Sequence, residues 1–198
     1  MTAGQDSARR RDAAGTRALL LDAARRRFAR NGYAATTVRD IADEAGVNVA
    51  LINRYFASKE GLFEACLRGV GHELGDADVS IDEVPRRIAQ QLSGEQAGEY
   101  PTQLLLLLRS SGDARAEQIR LGILRSFAER MAAAAGPHPD AEDRRLLRAQ
   151  IALSATLGVA LLRSTVTMEP LASADEDDLL GPLQDLFRAL LPDSEPAR

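Results

Sequence analysis

Residues 36–62 read TTVRDIADEAGVNVALINRYFASKEGL, and the fold follows from how this stretch divides. Thr37, with Asp40 three positions on, has the form of a capping box, in which two side chains satisfy backbone N–H groups at a helix start. The short helix it opens is expected to bury Ile41, Ala42 and Ala45 and to stop at Gly46, where left-handed backbone costs little. Residues 48–56 form a second short helical segment after one turn. Ser58 then caps a longer helix through Leu62, Phe63, Cys66, Leu67 and Val70 to about Leu74. Upstream, Leu20, Leu21, Ala24 and Phe28 share one helical face, and Asn31-Gly32 supplies a stop. Three helices, the last two separated by a glycine turn, have the helix-turn-helix layout.

On a helical wheel, Leu51, Ile52, Tyr55 and Phe56 fall on one side of the segment after Gly46 and Val49, Ala50, Asn53 and Arg54 on the other. The first group is a core face. The second has the chemistry for a major groove: Arg54 for guanine or phosphate, Asn53 for adenine, Val49 for a thymine methyl, and Ala50 for close approach. Asn48 is an N-cap candidate whose side chain is also placed to reach DNA. The residues by themselves equally describe an amphipathic helix with a mixed polar face.

Outside this region the 198 residues are rich in Ala, Leu and Arg and carry only 4% aromatics, so the whole chain reads as all-α, with about nine helices. Residues 1–14 read as a disordered arm containing Arg9, Arg10 and Arg11. Further helices are expected at residues 84–92, 102–110, 114–134, 142–168 and from Ser173, as N-cap, to about Leu191 with a kink at Gly181-Pro182. Residues 94–101 are a linker and Pro137 and Pro139 a break. Residues 1–62 are assigned to the arm and helix-turn-helix, residues 63–198 to a C-terminal ligand-binding and dimerisation domain.

The formal net charge of −4 would argue against nucleic acid were it evenly spread. Residues 1–62, however, hold 11 Lys+Arg against 7 Asp+Glu, leaving −8 for the remainder. One end is suited to a polyanion and the other is repelled by it. The single cysteine, Cys66, excludes an intramolecular disulfide and reads as a buried structural thiol among apolar neighbours. His72 and His138 lie far apart with no partner at metal-ligand or triad spacing, and no phosphate-cradling glycine loop occurs. No enzyme activity, metal or cofactor is expected. The polar, basic opening lacks the apolar core of a secretory signal, and the longest apolar stretches fall short of a membrane helix, so a cytoplasmic protein that makes no membrane contact is expected.

Residues 21–67 resemble the DNA-binding region of the tetracycline-repressor (TetR) family. The resemblance lies in Ala29-x-x-Gly32-Tyr33, Thr36-Thr37-Val38-Arg39-Asp40-Ile41-Ala42, Ala45-Gly46-Val47 and Tyr55-Phe56-x-Ser58-Lys59-Glu60-x-Leu62, in order and at family spacing. Residues 161–172 also resemble C-terminal domains of some actinobacterial members. The resemblance implies that Thr37 and Arg39 contact phosphate or a groove edge. It places Asn48, Val49, Ala50, Asn53, Arg54 and Tyr55 on the recognition helix, with Tyr55 at a phosphate. Lys59, the only lysine in the chain, matches the family's phosphate-gripping lysine at the start of the fourth helix. Many members carry lysine where Val49 stands and tyrosine where Asn53 stands, so the operator sequence does not carry over.

The implied function is transcription regulation by a homodimer on palindromic double-stranded DNA, with a small apolar or amphipathic effector causing release. The last two helices are expected to form the dimer surface, through Ala152, Ala155, Val159 and Leu162 on one and Leu183 and Phe187 on the other. Leu67, Val70, Leu104, Leu107, Ile119, Ile123 and Phe127 are expected to line an effector pocket, although each serves equally well as plain core. An activator, or an adaptor of the same fold acting through protein contacts, stays open at this point.

Overall fold

The computed structural model describes residues 3–74, 80–93, 106–107, 112–136, 142–166 and 168–192. Among them are eight helices and no strand: α1 (Ala3–Asn31), α2 (Val38–Ala45), α3 (Ala50–Phe56), α4 (Lys59–Leu74), α5 (Val84–Ser93), α6 (Ala114–Ala134), α7 (Glu142–Thr165) and α8 (Glu176–Leu190). Residues 94–101, the expected linker, lie outside the described residues, as does most of the expected leucine-rich helix. Of the latter, Leu106 and Leu107 are helical and buried. The proline break at residues 137–139 lies outside them too.

Two expectations at helix starts are corrected. The segment read as a disordered arm is helical from Ala3 onward, continuous with α1. Alanine and arginine are strong helix formers, and one internal glycine, Gly15, costs only about 1 kcal/mol, too little to end a helix. α8 is capped by Asp175 rather than Ser173. Asp175 is extended and accepts from the Asp178 N–H at 3.0 Å, and the Asp178 carboxylate accepts from the Asp175 N–H. The Ser173 hydroxyl instead donates to the Glu169 carboxylate. Pro182 lies inside α8, which continues through it to Leu190.

The N-terminal head is built on α1. Its Leu20, Ala23, Ala24 and Phe28 are buried against Leu62, Phe63, Cys66 and Leu67 of α4, with Ile41 and Ala42 of α2 and Ile52 and Phe56 of α3 closing the core. Burying each large apolar side chain contributes about 1.5–3 kcal/mol. α4 is the spine of the molecule, since it packs on α1 and α3 in the head and on α5 and α6 in the body. Cys66 is fully buried with its thiol against the Leu21 carbonyl oxygen, and burial pushes its pKa up to about 12, the inert thiol the sequence suggested.

In the body, α5 packs on α8, α6 on α7, and α7 on α8. The apolar stripe of α8 (Leu179, Leu183, Phe187) is buried, as are Val84, Ile88, Ala89 and Leu92 of α5, the helix it packs on. This corrects the expectation that Leu183 and Phe187 face a second subunit: they are 4% and 3% exposed within one chain. Ala152 is likewise fully buried in its own subunit. α7 has two apolar sides. Ala149, Ala152, Leu153, Thr156, Leu157 and Ala160 face inward at helical spacing, the Thr156 hydroxyl donating to the Ala152 carbonyl at 3.0 Å. Leu147, Ile151, Leu162 and, just past the helix end, Val166 lie at 54, 46, 36 and 47% exposure. By length and composition residues 143–165 could cross a membrane. Their inward side is committed to the chain's own core, however, and Arg144, Arg145, Arg148 and Arg163 flank the apolar centre.

Arginines close the ends of these helices. Arg163 donates to the carbonyls of Leu92, at 3.3 Å, and Leu171, and Arg148 to that of Leu190, at 3.4 Å. Leu92 and Leu190 stand in the last turns of α5 and α8, whose carbonyls a helix end leaves unpaired, while Leu171 lies in the turn that precedes α8. In the head, Glu44 of α2 receives Arg26 at 2.9 Å, Arg27, and Arg30 at 3.8 Å, all from α1. Hydrogen bonding from Arg26, aided by Arg27, holds the Glu44 carboxyl below the usual carboxylate range despite burial. A carboxyl whose pKa is depressed by folding stabilises the fold above its unfolded value and loses that contribution as pH falls through the folded value. Urea unfolding of Glu44→Gln should therefore differ most from the parent near neutrality, and the two midpoints should converge as pH drops below about 4. A gap independent of pH would exclude a charge role for Glu44.

Candidate nucleic-acid interface

The geometry of residues 36–62 begins with a helix fixed at both ends. Thr37 is extended (φ −102°, ψ 157°); its hydroxyl accepts from the Asp40 N–H at 3.1 Å and donates to Asp40 Oδ2 at 2.7 Å, and its own N–H reaches the same oxygen at 2.9 Å. These bonds hold the Asp40 carboxyl below its ordinary range. Gly46 is left-handed at φ 66°, with its N–H on the Asp43 carbonyl and that of Val47 on the Ala42 carbonyl, the paired bonds of a Schellman stop. α2 is thus held at a set length and angle before α3 begins.

α3 starts from Asn48, whose Oδ1 accepts from the Ala50 N–H at 2.8 Å. The capping expectation for Asn48 holds in this form, and its side-chain amide N–H groups are still donors. After its seven residues α3 ends in a tight turn: Ala57 sits at φ 65°, ψ −36° and the Ser58 N–H bonds the Phe56 carbonyl at 2.8 Å. This is a γ-turn in a backbone region that side chains rarely adopt. Ser58 Oγ accepts from the Gly61 N–H at 3.1 Å and starts α4, as expected.

Side chains divide as the helical wheel requires. Ile52 and Phe56 are buried, Leu51 and Tyr55 half-buried. Thr37, Arg39, Asn48, Val49, Ala50, Asn53 and Arg54 are all exposed, and Lys59 is half-buried. The Arg54 guanidinium lies 5.9 Å from the Tyr55 ring, and from α1 Arg17 lies over the Phe56 ring at 5.1 Å. Besides Asn48, which caps α3, two of the nine expected DNA-contacting residues also have a clear internal role. Both donors of Thr37 are committed to Asp40, which makes it a cap first. Lys59 Nζ sits 4.1 Å from the centre of the Tyr33 ring, and burial lowers its pKa against the pull of Asp113 and Glu60.

Sequence reasoning passed over three residues that shape this surface. Tyr33 is 5% exposed and holds Glu60 through its hydroxyl at 3.1 Å, and burial raises its own pKa. Glu44 neutralises part of the basic surplus of α1, a pairing between residues 17 or 18 positions apart that linear spacing does not reveal. Gly61 lies in the first turn of α4 where a Cβ would stand 2.1 Å from the Phe56 carbonyl oxygen. A glycine inside an otherwise good helix was the available signal.

The described residues among those expected to line an effector pocket lie in the interior of the chain. Leu67, Leu107, Ile123 and Phe127 are buried core and Ile119 is half-buried, while the Val70 and Leu104 side chains lie outside the described residues. A cleft of about 240 Å³ lies elsewhere, lined by Ile81, Asp82, Pro85, Gln184, Phe187, Arg188 and Leu191, and is smaller than ordinary ligand sites. No group of three His, Cys, Asp or Glu side chains is arranged to hold a metal among the described residues; the side chains of His72 and His138 are not among these.

Comparison with known proteins joins the two halves. A family model described as "Bacterial regulatory proteins, tetR family" matches residues 20–66. One described as "Tetracyclin repressor-like, C-terminal domain" matches residues 82–191, more than half of the chain. The transcriptional repressor KstR2 of Rhodococcus jostii is 49% identical over 55 residues, which is 28% of this chain and 27% of KstR2. The chain thus spans about a quarter of the length of that relative. The crystal structure of NalD, a secondary repressor of the MexAB-OprM efflux pump in Pseudomonas aeruginosa, superposes with a TM-score of 0.62 at 22% identity, over 93% of this chain and 100% of NalD. FadR of Bacillus subtilis in complex with stearoyl-CoA superposes at 0.53 and 17% identity, over 89% and 98%. At such identities the two structures show a shared fold.

The close approach at Gly61 yields a direct test. Gly61→Ala should destabilise the folded chain by about 1–3 kcal/mol, because backbone rather than a flexible side chain must move. Thermal unfolding followed by circular dichroism measures it, and an unchanged midpoint would show that the α3–α4 turn yields freely.

Proposed function

The chain belongs to the tetracycline-repressor family of bacterial transcription regulators, and on that premise we propose that it acts as a homodimeric repressor of a palindromic operator. In this reading α3 enters the major groove, Asn53 and Arg54 read base edges, and Arg39, Tyr55 and Lys59 hold phosphates. The observation that carries it is the division of α3: Asn53 and Arg54 are exposed while Ile52, just before them, and Phe56, two positions after, are buried. A helix held by its apolar side and offering an Asn/Arg side is what groove reading requires. It acts in the cytoplasm, where its DNA is.

A single reading helix of seven residues covers too few base pairs for specificity, so two copies must act together. The outward stripe of α7 supplies the surface: Leu147, Ile151, Leu162 and Val166, with the half-buried Ala155, Gly158 and Val159 allowing close approach. Of the residues first expected there, Ala155, Val159 and Leu162 stay in the proposal, and Ala152, Leu183 and Phe187, buried within the chain, leave it. The effector is a small apolar or amphipathic molecule that enters between α4 and α6 by opening the core around Leu67, Ile123 and Phe127. It shifts the spacing of the two heads through α4 and so releases DNA. The stearoyl-CoA held by the FadR neighbour is a molecule of that character.

Selection of bound duplexes from random DNA tests the reading: a two-fold symmetric site with half-sites one helical turn apart, or a multiple of it, is expected. On that site Asn53→Ala should cost about 1–3 kcal/mol and relax the preference at one position. Lys59→Ala should weaken all sequences alike and lower the salt slope by about 1. Recovery of no enriched duplex at low salt would remove the repressor reading. For the dimer, Ile151→Asp should weaken self-association by about 2 kcal/mol or more, seen by sedimentation equilibrium. Unchanged mass across dilution would exclude the α7 face.

A further inference from the structure

Lys59 is the only lysine in the chain and the first residue of α4. Its ammonium lies 4.1 Å from the centre of the Tyr33 ring. That ring is held by two others, Phe28 at 5.6 Å and 25° between planes and Phe63 at 4.9 Å and 58°. It comes from the turn between α1 and α2, so the cation is located by an element outside its own helix. The Tyr33 hydroxyl donates to Glu60 Oε1 at 3.1 Å, which restrains the carboxylate next in sequence to the lysine. No ion pair joins Lys59 to Glu60 among the described residues, although they are adjacent at the helix start.

From this arrangement we infer that Tyr33 is the positioning residue for the phosphate-gripping cation, its ring seating Lys59 and its hydroxyl holding Glu60 out of competition with DNA. This rests on the proposed phosphate role of Lys59. A lysine side chain has four freely rotating bonds, and most of their freedom is lost when the ammonium settles on a phosphate. A cation held over an aromatic face has already lost part of that freedom and part of its hydration, while keeping its charge. The ring therefore lowers the cost of the contact without touching DNA, and the aromatic packing that fixes the ring ties the cation to the core of the head.

The test uses the purified full chain, the selected duplex and a salt series from about 50 to 200 mM. Tyr33→Leu should weaken binding roughly five- to tenfold and lower the salt slope toward that of Lys59→Ala, by up to about 1. Tyr33→Phe, which keeps the ring, should keep the parent slope and lose only about twofold, from the freed Glu60. In a Lys59→Ala background, Tyr33→Leu should cost no more than the roughly twofold that the freed Glu60 accounts for, with no further change in slope. An equal loss from Tyr33→Leu in both backgrounds would mean that Tyr33 only supports the fold, and would overturn the inference. A parent slope in Lys59→Ala alone would instead overturn the phosphate role on which it rests. Because Lys59 is the sole lysine, reductive ¹³C-methylation gives one lysine methyl resonance that reports the seat without any core truncation. An upfield ring-current shift in the free parent and in Tyr33→Phe is expected; an unshifted resonance in both would overturn the inference.

Discussion

Phe28 of α1, Tyr33 of the following turn and Phe63 of α4 pack ring against ring, with centroids 4.9 to 5.6 Å apart. The position of the reading helix depends on this contact. α3 is too short to be stable alone, and isolated helices of its length do not persist in water. It stands because Ile52 and Phe56 are buried in a core whose other walls are α1 and α4. Edge-to-face and tilted aromatic contacts have a preferred geometry that aliphatic packing lacks, so the cluster sets the angle at which α4 crosses α1. The reading surface inherits that angle.

Electrostatics then sorts the surface. The basic surplus of residues 1–62 suggests a broad positive face, yet the arginines of α1 next to α2 are gathered on Glu44 and serve the fold. Arg39 and Arg54 form no ion pair among the described residues and are exposed on α2 and α3. In the proposed reading these two exposed charges lie on the elements that meet DNA, and the acidic remainder of the chain is repelled by it.

In the body, α7 is the helix with two apolar sides, and which side meets which neighbour is a matter of supply. α8 and α5 satisfy each other, so Leu183 and Phe187 are used inside the chain and α6 takes the inner side of α7. The side carrying Leu147, Ile151 and Leu162 is left over. α4 reaches both the head and α6, and in the proposed reading it carries a change in the body to the reading surface.

What the sequence determined by itself was local. The capping box of Thr37 and Asp40, the stop at Gly46, the cap at Ser58 and the two sides of residues 49–56 were all legible, because each depends on residues within one or two helical turns. The helical class and most helix boundaries were legible for the same reason. The tertiary structure decided what lay across a gap in sequence: that Glu44 gathers three arginines, that Tyr33 sits under Lys59 and that Gly61 must pass the Phe56 carbonyl. It also decided that Leu183 and Phe187 face inward. An apolar stripe records that a helix face must be covered, but carries no label for the surface that covers it; only the packing of the remaining helices settles that choice.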